Sequence, residues 1–457
     1  MINPPIDEPG LGAEIGHLAL SSGGETVESG FLVSALTFRL FASELGIILG
    51  RHGADAKYDE PVRLLLQDHI EEIEARRSTT VEKHVPERQI RNWLKKGRFN
   101  LKRELKGPQL KNLSRLLAMR HGANFSVPGA GKTTTLLALY EILHSDGKAD
   151  RLLVVAPKNA FLSWEDEIKA CFPKYKISFR RLEGEEAGVA SALADDPEVC
   201  LITYQLLVNV HGQVGNWVHR HKTHLVLDES HRIKSGVSKV TPAAALKLSG
   251  SGVRRDILSG TPMPQSPEDL RPQMDFLWPG QRILPEARSR PAILEDTIPD
   301  IQARMTPLYV RTTKADLKLP RLEFVPISHE DPNCRVMIAN PAACGEGISL
   351  HQACHYAIYV DRTFNAAHFL QSVDRIHRLG LAPDQETLIH ILEARWTIDA
   401  RVALRLKAKI DAMCQILNDP GLAALAYDPE DVVEEFPGGL EAGDVEEVVD
   451  HLVRDAD

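Results

Sequence analysis

Apolar and polar positions follow two different rhythms along this chain, and the change falls near Gly107. Before it, residues 33–49 and 61–76 carry apolar side chains at helical spacing, behind a Gly/Ser/Glu-rich opening. That pattern predicts a helical accessory region over residues 1–85, with no repeat and no cluster that bears chemistry. After Gly107, short apolar runs recur: RLLVVAP (151–157), VCLITY (199–204), HLVLDE (224–229) and RDILSG (255–260). Helical patterns at 133–144 and 161–171 separate some of them. Strand alternating with helix predicts an α/β fold, a parallel sheet covered by helices on both faces. A Pro-rich stretch over 262–320 reads as a connector. A second, shorter β/α run follows: RVMIAN (335–340), HYAIYVD (355–361) and ETLIHILEA (386–394), closed by a helix over 398–417. The division expected is an accessory region over 1–85, a first lobe over 86–310, a linker with a shortened second lobe over 311–417, and a tail over 418–457.

A chain of 457 residues with 43% apolar content can build two or three domains with real cores. Its net charge of −9 does not advertise a nucleic-acid binder, but the average hides a split. Residues 88–120 hold eleven Lys or Arg and one Glu, whereas 428–457 hold twelve acids against Arg454. The first segment could meet a polyanion, through Lys95, Lys96 and Arg98 among others; the second would repel one. Six cysteines form no CxxC pair, which predicts reduced thiols in a cytosolic protein rather than a zinc site. The opening MINPPIDEPG lacks a basic n-region, and Arg39 and Glu44 interrupt the most apolar early run, so neither a secretory signal nor a membrane span is expected. The expected compartment is the cytoplasm.

Candidate chemistry falls at the carboxyl ends of the predicted strands, where ligands of such sheets sit. SVPGAGKT (126–133) ends in the Gly-Lys-Thr of a phosphate-binding loop. Gly129 and Gly131 let a backbone curl tightly enough to aim N–H groups at a triphosphate, with Ala130 between them. Lys132 supplies a cation for the β- and γ-phosphates, Thr133 can ligate Mg2+ at the helix N-terminus, and Thr134 completes the first turn. Ser126 stands where the full pattern has its first glycine. About a hundred residues on, the strand LVLDESH ends in Asp228, a candidate Mg2+ ligand, and Glu229, placed to orient and deprotonate an attacking water. Further on, Asn365 can cap a helix running through Arg378, placing Gln371, Arg375 and Arg378 at i, i+4 and i+7 on one face. Guanidinium groups so placed can stabilise charge on a transferring γ-phosphate.

These residues resemble a family. DESHRIKS (228–235) is similar to the DEAH-type box of Swi/Snf-type ATPases, a branch of helicase superfamily two. RLLVVAPKNAFLSWEDEI (151–168), LITYQLL (201–207), LSGTPMPQSPEDL (258–270), RTTKADL (311–317), GEGISLHQA (345–353) and QSVDRIHRLG (371–380) resemble its other motifs, in order. The resemblance implies two RecA-like P-loop lobes with ATP and Mg2+ between them. It assigns the arginine-finger role to Arg375 and Arg378, a cleft role to Gln371, coupling roles to Ser259 and Thr261, and adenine reading to Gln109. It also makes Lys158, Ser163, Trp164, Lys234 and Gly347 candidate nucleic-acid positions. The second lobe is shorter than the resemblance requires, with an abrupt junction at Glu330 and Asp331.

The implied function is an ATP-hydrolysing motor that translocates on double-stranded DNA. The compact motifs resemble bacterial members, which directs expectation to genome maintenance or phage defence. Two alternatives stand beside it. One is an RNA-stimulated helicase, since fold does not separate the two nucleic acids. The other is a nucleotide-binding scaffold without turnover, a subunit among protein partners in a larger complex.

Overall fold

The apolar runs after Gly107 assemble as a parallel sheet because they are buried on both faces, the condition under which parallel strands are stable. The computed structural model describes residues 1–2, 8–21, 24–28, 30–33, 35–234, 240–264, 266–284, 291–318, 322–324, 354–360, 362, 365–378, 381, 385–392 and 398–425. The accessory region holds helix α1 (Pro9–Ser21), a hairpin of β1 (Glu25–Val27) and β2 (Gly30–Leu32), and helices α2 (Ala35–His52) and α3 (Glu60–Arg77). The two helices expected from spacing are α2 and α3; α1 and the hairpin come from the Gly/Ser/Glu-rich opening, where no period was legible.

The first lobe begins with α4 (Glu87–Lys96) and α5 (Gly107–Leu117). Then come β3 (Gly122–Asn124), α6 (Lys132–Ser145), β4 (Arg151–Val155), α7 (Phe161–Cys171), β5 (Phe179–Arg181) and α8 (Glu186–Ala194). β6 (Val199–Ile202), α9 (Tyr204–Arg220), β7 (Thr223–Asp228), α10 (Val240–Ser249) and β8 (Arg254–Leu258) follow. With β9 (Tyr309–Val310), the strands form a seven-stranded sheet in the order β5-β6-β4-β7-β8-β3-β9. Every pairing in it is parallel. Alternation along β4 shows how both faces are covered. Leu152 and Val154 join a core with α4, α5, α6 and α7, whereas Leu153 and Val155 join one with α9, α10 and α11 (Leu270–Leu277).

The Pro-rich stretch is not a plain connector. It folds as α11 and α12 (Pro291–Met305), and Phe276, Trp278 and Met305 are buried. Apolar residues among the prolines made a packing layer that proline content alone concealed. Through Ile301 and Met305 that layer is continuous with the second lobe. There β10 (Leu322–Phe324), β11 (Tyr356–Tyr359) and β12 (Thr387–Ile391) pair in parallel in the order β10-β12-β11. Helices α13 (Ala366–Ile376) and α14 (Ile398–Leu417) complete the described part. The expected strand at 335–340, the GEGISLHQA segment with Gly347, the Glu330 and Asp331 junction and the acidic tail lie outside the described residues. Among the described residues, no helix is long and apolar enough to cross a membrane.

A buried ion network docks the accessory region on the first lobe. Glu72 of α3 accepts from Arg255 of β8 at 2.6 Å and lies 3.2 Å from His121 Nε2 and 3.0 Å from Arg39 of α2. Burial alone would raise the Glu72 carboxyl; Arg255, His121 and Arg39 outweigh it and hold the group well below the ordinary carboxylate range. Burial, with Arg255 alongside, pushes His121 down to about 3, so it is neutral at pH 7.

Candidate nucleotide site

The phosphate loop leaves the carboxyl end of β3 and enters α6 through glycines whose conformation only glycine adopts cheaply. Gly129 has φ +77° and Gly131 has φ +79°. A Cβ on Gly131 would collide with the Gln109 side chain. Gln109, in the first turn of α5, thus stands over the loop; its Oε1 accepts from the Lys106 N–H at 2.8 Å. Ala130 between the glycines is buried, and its N–H bonds Val127 O at 3.2 Å. The Lys132 ammonium donates to Ser126 O at 3.0 Å. Burial lowers its pKa, and the charges of Glu229, Asp228 and Asp374 counter that. Thr133 is half-buried in the first turn of α6. Thr134 donates its hydroxyl to Glu167 of α7 at 2.6 Å.

Ser126 is a structural hub. Its buried hydroxyl accepts from the Thr312 N–H at 2.9 Å and from Asn112 Nδ2 at 3.0 Å, and its N–H donates to Asn124 Oδ1 at 3.1 Å. The loop is thereby bonded to α5 and to the linker. Beside it, Arg311 donates to Phe125 O and grips Asp419, just past α14, at 2.8 and 2.6 Å. Lys314 pairs with Asp374 of α13 at 2.7 Å, with both side chains largely buried.

β7 delivers Asp228 and Glu229 to the same place. Asp228 Oδ2 accepts the Trp164 indole N–H at 2.7 Å, and Oδ1 accepts the Glu229 N–H at 3.0 Å. Glu229 sits at φ +50°, a left-handed backbone that costs a non-glycine residue roughly 1–3 kcal/mol. Burial and the neighbouring Glu229 raise Asp228, whereas His231, Lys132 and Arg375 hold Glu229 low against its own burial. Hence at neutral pH Glu229 is the more firmly ionised of the two. His231 Nδ1 lies 3.2 Å from Ser259 Oγ, and Ser230 donates to Gln273 at 2.7 Å. Gln273 in turn donates to Pro262 O at 2.7 Å. These bonds join the acidic box to the Ser-Gly-Thr turn after β8. Gly260 of that turn abuts Pro128 of the phosphate loop, 2.6 Å from where its Cβ would stand. Among the described residues, the buried Thr261 hydroxyl has no hydrogen-bond partner.

Residues at the end of α13 lie against the phosphate loop. Asn365 Oδ1 caps α13 by accepting from Ala367 N–H at 3.0 Å and His368 N–H at 3.4 Å. The helix does not run through Arg378: it ends at Ile376, with His377 at φ −117° and ψ 86°. Arg378 therefore leaves the helical face predicted for it, and the turn brings its Nε to 3.3 Å from where a Cβ on Gly129 would stand. Arg375 stays on the helix, close enough for its charge to lower Glu229. Gln371 is buried in α13.

Residues 124–323 match the SNF2-related domain family. The chain carries a Swi/Snf-type ATPase domain of helicase superfamily two. Helicase SWR1 of Mycosarcoma maydis is 34% identical over 157 residues, 33% of this chain and 8% of that protein. The human SWI/SNF-related matrix-associated actin-dependent regulator of chromatin subfamily A member 1 is 25% identical over 185 residues, 38% of this chain and 17% of that one. The chain thus spans only a small part of these relatives. The Sulfolobus solfataricus SWI2/SNF2 ATPase core in complex with dsDNA superposes over 79% of this chain and 67% of its own, at 18% identity and a TM-score of 0.41. The SNF2-related domain contains the phosphate loop, the acidic box and the Ser-Gly-Thr turn, whereas Arg375 and Arg378 lie beyond it.

The basic segment over 88–120 resolves into two kinds of cation. Arg98 pairs with Glu141 and Glu198 at 2.9 and 2.8 Å, Arg103 with Glu167, and Arg120 with Asp68. Arg115 caps carbonyls of Thr80, Val81 and Pro307. Arg98 and Arg103 brace the first lobe, and Arg115 and Arg120 also bond it to residues 68–81, so Arg98 is not a free polyanion contact; Lys95 and Lys96 are exposed. Trp164 is core, as is usual for such a residue, and it bonds Asp228. A buried indole N–H needs an acceptor, and that requirement was the only signal in the sequence.

Proposed function

We propose that this chain is a motor that hydrolyses ATP when bound to double-stranded DNA. The observation that carries the reading is convergence: Lys132, Asp228 and Glu229 meet at one loop, and Arg378 from the second lobe lies against that loop. The cradle fits a triphosphate with Mg2+, since it offers positive-φ glycines, a buried ammonium and a carboxylate pair split in basicity. In this proposal Lys132 and the loop N–H groups bind the β- and γ-phosphates, with Gly129, Ala130, Gly131 and Thr134 shaping the cradle and Gln109 reading adenine. Thr133 and Asp228 hold Mg2+, which when bound neutralises charge on the phosphate oxygens. Glu229 orients water and accepts its proton, Arg378 and Arg375 stabilise charge on the transferring group, and Gln371 supports them from inside α13.

Closure of the second lobe would complete the site, and reopening would reset it. The linker supports that coupling, because Ser126, Arg311 and Lys314 bond the phosphate loop, α14 and α13 in one chain of contacts. DNA as the track, Lys158, Ser163 and Lys234 as contacts, and service in genome maintenance or phage defence belong to this proposal, as does the domain division given above. Phosphate release should be measured with duplex DNA, single-stranded DNA and RNA. Stimulation by duplex DNA supports the motor reading; stimulation by RNA alone overturns it, and tight ATP binding without release under every condition selects the scaffold.

A further inference from the structure

Helix α7 bonds to two separate parts of the nucleotide corner from its buried side. Trp164, 1% exposed, gives its indole N–H to Asp228 Oδ2 at 2.7 Å. Since Asp228 Oδ1 accepts the Glu229 N–H, the two donors fix the rotation of the carboxylate. Three residues on, and on the same helical face, Glu167 Oε1 accepts the Thr134 hydroxyl at 2.6 Å. Arg103 holds Glu167 in turn, its Nε at 2.7 Å from the same oxygen. Thr134 adjoins Thr133. One helix therefore fastens Asp228 itself, at the end of β7, and the neighbour of Thr133, in the first turn of α6.

We infer that α7 is the positioning element for the divalent cation: the Trp164 indole N–H sets the Asp228 carboxylate, and Glu167 sets the helix turn that carries Thr133. The inference rests on the nucleotide-site reading above. A charge-assisted N–H···O− bond is stronger than a neutral one, and outer partners of metal ligands typically govern affinity by about 10–100-fold. Trp164 does not touch the cation; it acts through Asp228.

Trp164→Phe keeps an aromatic ring in the core and removes the donor. Binding of a fluorescent ADP analogue is measured in EDTA and across a Mg2+ titration. The expected result is an unchanged affinity in EDTA and a rise of about 10–100-fold in the Mg2+ concentration that half-saturates the tightening. Equal Mg2+ requirements in variant and wild type overturn the role of α7 while leaving the nucleotide site standing. A wild-type chain that binds no nucleotide overturns both. Should the variant not fold, the wild-type protein gives the answer by 15N-indole NMR of its five tryptophans. One indole N–H resonance should move when Mg2+ is added to the ADP-bound protein, and a spectrum unmoved by Mg2+ overturns the inference.

Discussion

Ser126 shows how one departure from a pattern becomes legible only in three dimensions. Glycine usually opens such a loop because the backbone needs freedom; here a hydroxyl takes the position and ties three segments together. Ser126→Ala should leave the Thr312 N–H without its partner at a buried site and cost about 1–3 kcal/mol, read as a lower urea midpoint. Glu229 is the complementary case, a residue whose proposed role follows from its place at a strand end. Its left-handed backbone and its low pKa beside a raised Asp228 could not be inferred from letters. Glu229→Gln should lower the turnover number by about 10²–10⁴-fold while nucleotide binding persists, as rapid-quench and binding assays would separate.

At the scale of elements, the strands that were read correctly are those buried on both faces, since their apolar runs are continuous. β4, β6, β7 and β8 all lie within their predicted runs or one residue from them. β3, with the sequence Gly-Ala-Asn, has no β-branched residue and became a strand because β8 and β9 flank it. The end of α13 is the instructive miss. Spacing placed Arg378 on a helical face, but the turn at His377 brings it to the phosphate loop instead. Arg378→Ala should reduce turnover by about 10³–10⁵-fold if it serves as the finger. Nucleotide affinity should change far less, which equilibrium binding would report.

At the scale of the whole molecule, the accessory region is fastened by charge rather than by an apolar seam alone. Glu72→Ala would strand Arg255 and Arg39 in the interior and should destabilise by about 3–5 kcal/mol, seen as an early unfolding transition. His121 gives this network a pH signature. Its folded pKa of about 3 lies below the ordinary imidazole value of about 6.5, so the unfolded chain binds the proton first. Stability should therefore fall as pH drops from 6.5 towards 3, by at most about 1.4 kcal/mol per unit. Urea midpoints of wild type and His121→Gln at pH 7 and pH 5 would check this, the variant losing less. On the surface, replacing Lys95 and Lys96 by Ala should reduce the slope of log affinity for DNA against log salt by about 2 if both meet phosphates.

The sequence by itself determined strands β4, β6, β7 and β8 of the first sheet, the phosphate loop and the acidic box, because each is local: a burial period, a turn that needs glycine, and acids at a strand end. It also carried the family resemblance that residues 124–323 bear out. Only the tertiary structure decided that the Pro-rich stretch packs as helices, that Arg98, Arg103 and Arg120 of the basic segment are consumed by Glu141, Glu198, Glu167 and Asp68, and that Trp164 serves Asp228. Those outcomes depend on partners 40 or more residues away in the chain. A buried donor or charge requires a partner, but the requirement does not say where along the sequence the partner will be found.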